Sequence, residues 1–361
     1  MNTMSEKTDL RSLTQNQLIA FVEGLGQPAF RGKQLLPWVY KAGVPDFDSM
    51  TDLAKNFRQI LIEKARISYL TPSQIEISRD GAVKFAFQLD DGHIIESVLI
   101  PEPDRNTLCV STQVGCAMGC TFCLTGKMGL ARNLTVAEII NQVCAVRDWA
   151  LMENKGALTN IVFMGMGEPL ANLENLLAAI SLLTEQRGLD FSNRRITVST
   201  CGLVPQMLRL GEETDVNLAI SLHASDDATR NTLMPINRTY PVAKLIEACK
   251  IYRQKRRKRV MFEYTLLAGI NDSDADARKL AQLLHGVRCK INLLSVNAAE
   301  SLDYCSPNME RILNFQNILR ERGFTVFIRQ SRGSDISAAC GQLAGKIQQK
   351  GQAETFPRAL E

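Results

Sequence analysis

The chain reads as an α/β fold built on a parallel sheet and preceded by a small helical unit, and three observations carry that reading. After Pro101 a strand-then-helix pattern repeats six times. The strands in that stretch are apolar along most of their length, as strands covered on both faces must be. Before Pro101 the periodicity is first helical and then of short segments that alternate or run apolar, so a different architecture leads into the sheet.

Taken in order, Thr14 opens a Thr-x-x-Gln capping box ahead of LIAFVEGLG, and Gly24 or Gly26 closes that helix. Further helices are expected over Phe30 to Ala42 and from about Asp52 to Ala65, which makes residues 1–66 a helical accessory domain. From about Gln74 the period changes to two. QIEIS, VKFAFQL and HIIESVLIP are separated by Asp80-Gly81 and Asp90-Asp91-Gly92, which are hairpin signals, so residues 67–101 form an antiparallel β linker. The repeating part spans 102–346. TLCVST is followed by a helix from about Thr135 to Glu153, NIVFMGMG by one from Leu173 to Gln186, and ITVST by one from Pro205 to Leu210. LAISLH precedes a helix over Val242 to Gln254, FEYTLL one over Asp276 to Leu284, and INLLSV one over Met309 to Arg322. TVFIRQS supplies a further strand, and residues 347–361 form a tail. Right-handed crossovers are expected. An open doubly wound sheet and an incomplete (β/α) barrel both satisfy this pattern.

Length and composition narrow the function. At ~150 residues per domain, 361 residues make about two domains. The 45% hydrophobic and 22% charged fractions are those of a globular chain, not a disordered or membrane-embedded one. No segment approaches the ~18 apolar residues of a spanning helix, and the opening MNTMSEKTDLRSLTQNQ is neither signal nor anchor, so a cytoplasmic location is expected. A net charge of +4, from 42 basic and 38 acidic residues, is too small to identify a nucleic-acid binder. Ten cysteines in a cytosolic chain are not a disulfide framework and call for metal, redox chemistry or burial. Cys144, Cys249 and Cys289 fall on apolar positions and are expected in the core, whereas Cys201 and Cys305 are undecided.

Cys116, Cys120 and Cys123 form C-x3-C-x2-C on the loop after TLCVST. Ligands gather at the carboxyl ends of strands in α/β folds, which gives the triad a functional placement. Three thiolates are one short of a closed zinc site and one short of a fully cysteine-ligated iron–sulfur cluster. A 4Fe-4S cube held by three cysteines leaves one iron free for a small molecule, while zinc would need a fourth ligand from elsewhere.

On these residues the sequence resembles the radical S-adenosylmethionine (SAM) superfamily, whose core is a partial (β/α)6 TIM-like barrel. MGMGEP at 164–169, with Gly167 and Glu168, is similar to the superfamily segment that receives the methionyl amine. Ser199, the run Ser221-Leu222-His223 and Asn297 match SAM-holding positions in one branch, the bacterial ribosomal RNA adenine-C2 methyltransferases called RlmN. GHIIESVLIP with Glu96, LCVSTQVGC with Cys109 and RGSDISAACGQLAG with Cys340 match that branch as well. The match extends from the accessory domain to about Lys346. One departure is Val296-Asn297-Ala298 where the family often has Trp-Asn-Pro, which loosens the detail of the adenosine pocket.

The resemblance implies a chemistry. Carbon 2 of adenine is electron-poor and will not attack the methyl of SAM, but a carbon radical adds to it. Cys340 would take a methyl from one SAM by displacement. A second SAM, bound to a 4Fe-4S cluster on Cys116, Cys120 and Cys123, would generate the radical that activates the S-methyl group, so two SAM are used per turnover. Glu96 would remove the C2 proton, and Cys109 would attack the Cys340 sulfur, forming a disulfide and freeing the base. The implied partners are 23S rRNA, transfer RNA and an electron donor such as flavodoxin, with no membrane and a monomeric enzyme. Lys250 to Arg259, KIYRQKRRKR, with Arg31, Lys33 and Arg132, suits either a solvated surface or phosphate contacts. The target base must be unstacked to reach a buried site. Two other functions stay open: methylation at carbon 8, as in the Cfr enzymes, which share the triad and the two outlying cysteines and which the motifs separate poorly, and a non-catalytic metal-stabilised RNA-binding module, which would have no use for a thiol pair flanking the site.

Overall fold

The computed structural model describes residues 7–41, 46–252, 258–297 and 304–345. The accessory unit holds β1 (Thr8–Asp9), α1 (Gln15–Gly24), α2 (Phe30–Tyr40), α3 (Lys55–Lys64) and β2 (Ala65–Arg66). The Thr14–Gln17 capping box forms as the spacing predicts, and α1 packs on α2. The short parallel pair β1–β2, invisible to periodicity, closes the unit. Arg11 fastens it to the rest of the protein: fully buried, its guanidinium donates to Val39 O, Ser68 O and Asn141 Oδ1.

The meander follows as β3 (Pro72–Ile77), β4 (Val83–Gln88) and β5 (Ile94–Glu102). Then come β6 (Arg105–Cys109), β7 (Gln113–Cys116), α4 (Leu124–Lys127), β8 (Gly129–Asn133) and α5 (Val136–Met152). The remaining chain alternates: β9 (Asn160–Phe163), α6 (Leu173–Leu183), β10 (Ile196–Thr200), α7 (Val204–Glu213), β11 (Asn217–Ser221), α8 (Asp227–Leu233), α9 (Val242–Ile251), β12 (Val260–Leu266), α10 (Asp274–Leu283), β13 (Cys289–Ser295), α11 (Met309–Glu321) and β14 (Val326–Arg329).

Strand order separates the two architectures that periodicity left open. The sheet runs β14-β13-β12-β11-β10-β9-β6-β5-β4-β3, and its parallel part, β6 and β9 to β14, never reverses direction of growth. A doubly wound sheet requires such a reversal. Consecutive helices pack side by side, α5 on α6, α6 on α7, α7 on α9 and α10 on α11, as they do around a barrel wall. The barrel is partial: β14 and β3 are the ends of the order. The meander is more than a linker, because β5 pairs antiparallel with β6 and extends the same sheet.

Candidate active site

Side chains converge at the carboxyl ends of the parallel strands. After β6 the chain passes through a hairpin, β7 paired with β8, that sequence periodicity did not reveal, and the cysteine loop lies between those strands. Cys116 ends β7, while Cys120 and Cys123 sit in the tight loop before α4. The loop is closely wound: a Cβ on Gly126 would stand 3.0 Å from Cys120 O. All three thiols line one cavity of about 180 Å³. Burial raises Cys116 to about 11 and pushes Cys120 higher still, so their thiols are protonated at neutral pH without a cation. Among the described residues no three His, Cys, Asp or Glu side chains are grouped to hold a single metal ion. Three cysteines on one wall, each serving a different iron, suit a cuboidal cluster, which coordinates thiolates farther apart than a single ion does.

The opposite wall comes from the MGMGEP turn. The segment after β6 and the turn after β9 lie backbone to backbone: Gly165 N donates to Val110 O, and Thr112 N to Met166 O. Gly167 has φ +97°, and a Cβ there would lie 2.5 Å from Gln113 Cβ, so only glycine fits. Glu168 is buried, which raises its carboxyl, and backbone amides of Cys201 at 2.8 Å and Leu170 at 3.0 Å hold its two oxygens. Ser199, Ser221, His223 and Asn297 line the same cavity. Leu222 is fully buried and does not. His223 has φ +55°, packs edge-on against Phe122, and accepts from Thr265 N at 2.9 Å through Nδ1. Burial and the Arg230 charge hold it at about 3, a neutral imidazole.

Cys340 occupies the boundary between this cavity and a larger one of about 840 Å³ inside the barrel. Its side chain is open to the cavities yet enclosed by protein, which raises its thiol, with the Arg329 charge opposing. Asn297 Nδ2 donates to Cys340 O at 3.1 Å. Cys109, at the end of β6, lines the larger cavity with Cys340, and burial raises it to about 12.

Glu96 stands apart from these groups and lines neither cavity. It is buried on β5, where Oε2 accepts from Ala344 N at 2.8 Å and Gly345 N at 3.0 Å, and Oε1 lies 3.4 Å from Lys84 Nζ. Lys84 also pairs with Glu76 and donates to Ile336 O. Asp335 accepts from Ser78 and Arg79, and Asp80 from Gly333, so the C-terminal segment is sewn onto the meander. Cys144, Cys249 and Cys289 are buried, Cys201 is buried against the cluster loop, and Cys305 is exposed. Arg132 is paired with Asp91 and Glu138, so its charge is compensated. Residues 253–257 of the basic run, Ala298 and the tail lie outside the described residues.

Sequence reasoning missed three charged groups here. Arg230 is fully buried and donates to the carbonyls of Cys201, Ser221 and Leu222, tying together the ends of β10 and β11. Glu263 and Arg329 line the cluster-side cavity from β12 and β14. No spacing marks them: Arg230 is one of several polar residues on α8, and Glu263 and Arg329 are each the single charged residue of an otherwise uncharged strand. That inward polarity is itself the signal that was available.

A partial (β/α) barrel with three cysteines after its first parallel strand and a glycine-glutamate-proline turn after the second defines a radical SAM enzyme. The Radical SAM superfamily profile matches residues 110–281, and the Ribosomal RNA large subunit methyltransferase N-terminal domain matches residues 8–67. The chain is 60% identical over 350 residues to the dual-specificity RNA methyltransferase RlmN of Desulfotalea psychrophila, covering 95% of this chain and 97% of that protein. It is 52% identical to RlmN of Geobacter sulfurreducens, covering 95% and 94%. A radical SAM methyltransferase from Sphaerobacter thermophilus has a similar structure, with TM-score 0.88, 46% identity, and coverage of 94% of this chain and 100% of that one. The chain belongs to the RlmN family of radical SAM RNA methyltransferases. Membership implies a 4Fe-4S cluster and SAM. No described helix is long and apolar enough to cross a membrane.

Proposed function

We propose that this enzyme methylates C2 of an adenosine in 23S rRNA, and an adenosine in transfer RNA, through S-methylation of Cys340 and a transient Cys109–Cys340 disulfide, using two SAM per turnover. The single observation that carries the reading is that Cys109 and Cys340 line one cavity while Cys340 also lines the cavity of Cys116, Cys120 and Cys123. A resident cluster alone has no use for two further thiols at its door.

In this reading Cys116, Cys120 and Cys123 hold the cluster, and Gly167, Glu168, Ser199, Ser221, Leu222, His223 and Asn297 hold SAM, Leu222 through its backbone. When bound there, the cluster and SAM supply a carbon-centred radical, with the electron drawn from a donor such as flavodoxin. Cys340 sulfur, as thiolate, would bond to the methyl carbon of one SAM as that carbon's bond to the SAM sulfur breaks, S-adenosylhomocysteine leaving, and Cys340 then carries the new carbon to the base. Neutral His223, fixed by the Thr265 amide, would give the pocket that holds SAM shape without charge. Glu96 takes the C2 proton. In the described state Lys84 and two amides hold its carboxylate, so it reaches the base when residues 344 and 345 lift away. Cys109 then attacks the Cys340 sulfur, a sulfur–sulfur bond replaces the sulfur–carbon bond, and the base departs. The helical unit to residue 66, the meander to 101, the catalytic core to 346 and the tail are the working divisions of this reading.

The experiment is an anaerobic assay with 23S rRNA fragments and transfer RNA, digestion to nucleosides, and location of the methyl by mass spectrometry. 2-Methyladenosine is expected from both; 8-methyladenosine, or no product from either RNA, overturns the reading.

A further inference from the structure

Two charged side chains of the cavities have no part in the chemistry above. Arg329 is the one charged residue among the described residues that lines both cavities, together with Cys340. Its guanidinium has no hydrogen-bond or ion-pair partner among the described residues. The groups that act on its charge are Cys340, Glu263 and Cys109, in that order, with Glu102 behind them. Glu263 is 5% exposed. Its Oε1 accepts from Asn292 Nδ2 at 2.8 Å, while Oε2 is buried with no hydrogen-bond partner among the described residues. Strand register fixes the spacing. Glu263 pairs with Asn292 across β12 and β13, and Leu294, two residues on, pairs with Arg329 across β13 and β14. Asn292 faces the larger cavity and Glu263 the smaller, so their hydrogen bond spans the wall between the two.

A buried acceptor left without a partner is costly, and a half-buried cation in the same cavity has donors to offer, so a ligand that pairs with both offsets that cost. Glu263 stands on β12 and Arg329 two strands away on β14, and Arg329 shares both cavities with Cys340, so we take the order as acceptor at Glu263, donor at Arg329, sulfur at Cys340. The matching edge must present a donor, then an acceptor, then a carbon. Adenine does so with its N6 amine, N1 and C2. Guanine and uracil present acceptor then donor, which is the reverse, and cytosine places a carbonyl where the carbon must be. We propose that Glu263 and Arg329 read the Watson–Crick edge of the target adenine, Glu263 accepting from N6 and Arg329 donating to N1, and so set C2 against Cys340. This rests on the adenosine reading above. The N6-N7-C8 edge repeats the same order, so the pair selects adenine and the angle of entry selects the carbon. The SAM adenine carries the same pattern; the opening of Arg329 and Asn292 toward the larger cavity favours the RNA base.

The test uses the anaerobically reconstituted holoenzyme and a synthetic 23S rRNA fragment with adenosine, purine riboside (no amine), 1-deazaadenosine or 7-deazaadenosine at the target. Arg329→Gln and Glu263→Gln are compared with wild type. Glutamine at 263 keeps its oxygen toward Asn292 and turns an amide donor toward N6, inverting the pattern. Each variant is expected to lose on the order of 10- to 100-fold in kcat/KM on adenosine, as for a hydrogen bond involving a charged group. The Arg329 variant loses little more with 1-deazaadenosine, and the Glu263 variant little more with purine riboside, because each atom pair is already broken. SAM affinity by equilibrium dialysis and iron content stay within about threefold, the size of a lost neutral contact at most. The proposal is overturned if the losses multiply without coupling, if 7-deazaadenosine couples in place of 1-deazaadenosine, or if SAM affinity falls as far as turnover, which assigns the pair to the cofactor's adenine. Should a variant fail to hold its cluster, wild type decides: equal use of adenosine, purine riboside and 1-deazaadenosine overturns the proposal. No methylation of adenosine by wild type would instead refute the functional reading beneath it.

Discussion

Glu96→Gln separates the hold that this carboxylate has on the C-terminal segment from the proton removal proposed for it. In the described state the carboxylate accepts two backbone amides, Ala344 at 2.8 Å and Gly345 at 3.0 Å, and faces Lys84. Glutamine has the same size but no charge. Each charge-assisted bond of about 1.5–3 kcal/mol becomes a neutral one of about 0.5–1.5, a loss of about 1–1.5 kcal/mol per bond. Lys84 keeps Glu76 at 3.0 Å, so no unpaired buried cation is left to add to that. Two bonds give about 2–3 kcal/mol, and at ~1.4 kcal/mol per decade the open population of the segment rises roughly 30- to 150-fold. The amides of Ala344 and Gly345 are themselves the probes: hydrogen exchange read by mass spectrometry should quicken by that factor at residues 333–345 and not in the barrel strands. With RNA the same variant should form the covalent adduct and stall, since the base is gone. Unchanged exchange at 333–345 would refute the latch, and full turnover would remove Glu96 from the mechanism.

Other outcomes follow from the same geometry. Cys116→Ala, Cys120→Ala or Cys123→Ala should each abolish the charge-transfer absorption and the roughly four irons per chain of reconstituted protein; retention of full iron in all three sinks the ligand assignment. Cys109→Ala should trap RNA on the protein, visible by intact mass, whereas Cys340→Ala should neither trap nor methylate. Gly167→Ala forces a side chain onto φ +97° and against Gln113, so it should cost about 2–5 kcal/mol in chemical unfolding and weaken SAM binding through the displaced Glu168; wild-type stability and affinity would contradict the close packing described. Deuterium at C2 of the target adenosine should be lost to solvent and deuterium at C8 retained, and the converse labelling would move the activity to the other carbon.

Local sequence determined the elements and the reactive thiols. Period-two and period-3.6 patterns mark which face of each strand or helix is buried, and the capping box at Thr14 marks where a helix starts, so these read directly from neighbours a few residues away; the structure adds capping boxes at Thr135 and Ser273. C-x3-C-x2-C is likewise contained in eight consecutive residues. Tertiary structure decided what depends on pairing between distant segments. Periodicity admits either an open sheet or a barrel, and strand order alone chooses, because winding is a property of how strands meet rather than of any one strand. The β7–β8 hairpin around the cluster loop, the joining of the meander to the barrel sheet, and the hold of Lys84 and Glu96 on the C-terminal segment arise the same way. Glu263 and Arg329 show the reason most plainly. Each is the single charged residue of an otherwise uncharged strand, and only the register of β12, β13 and β14 brings the two charges to the cavity that Cys340 also lines.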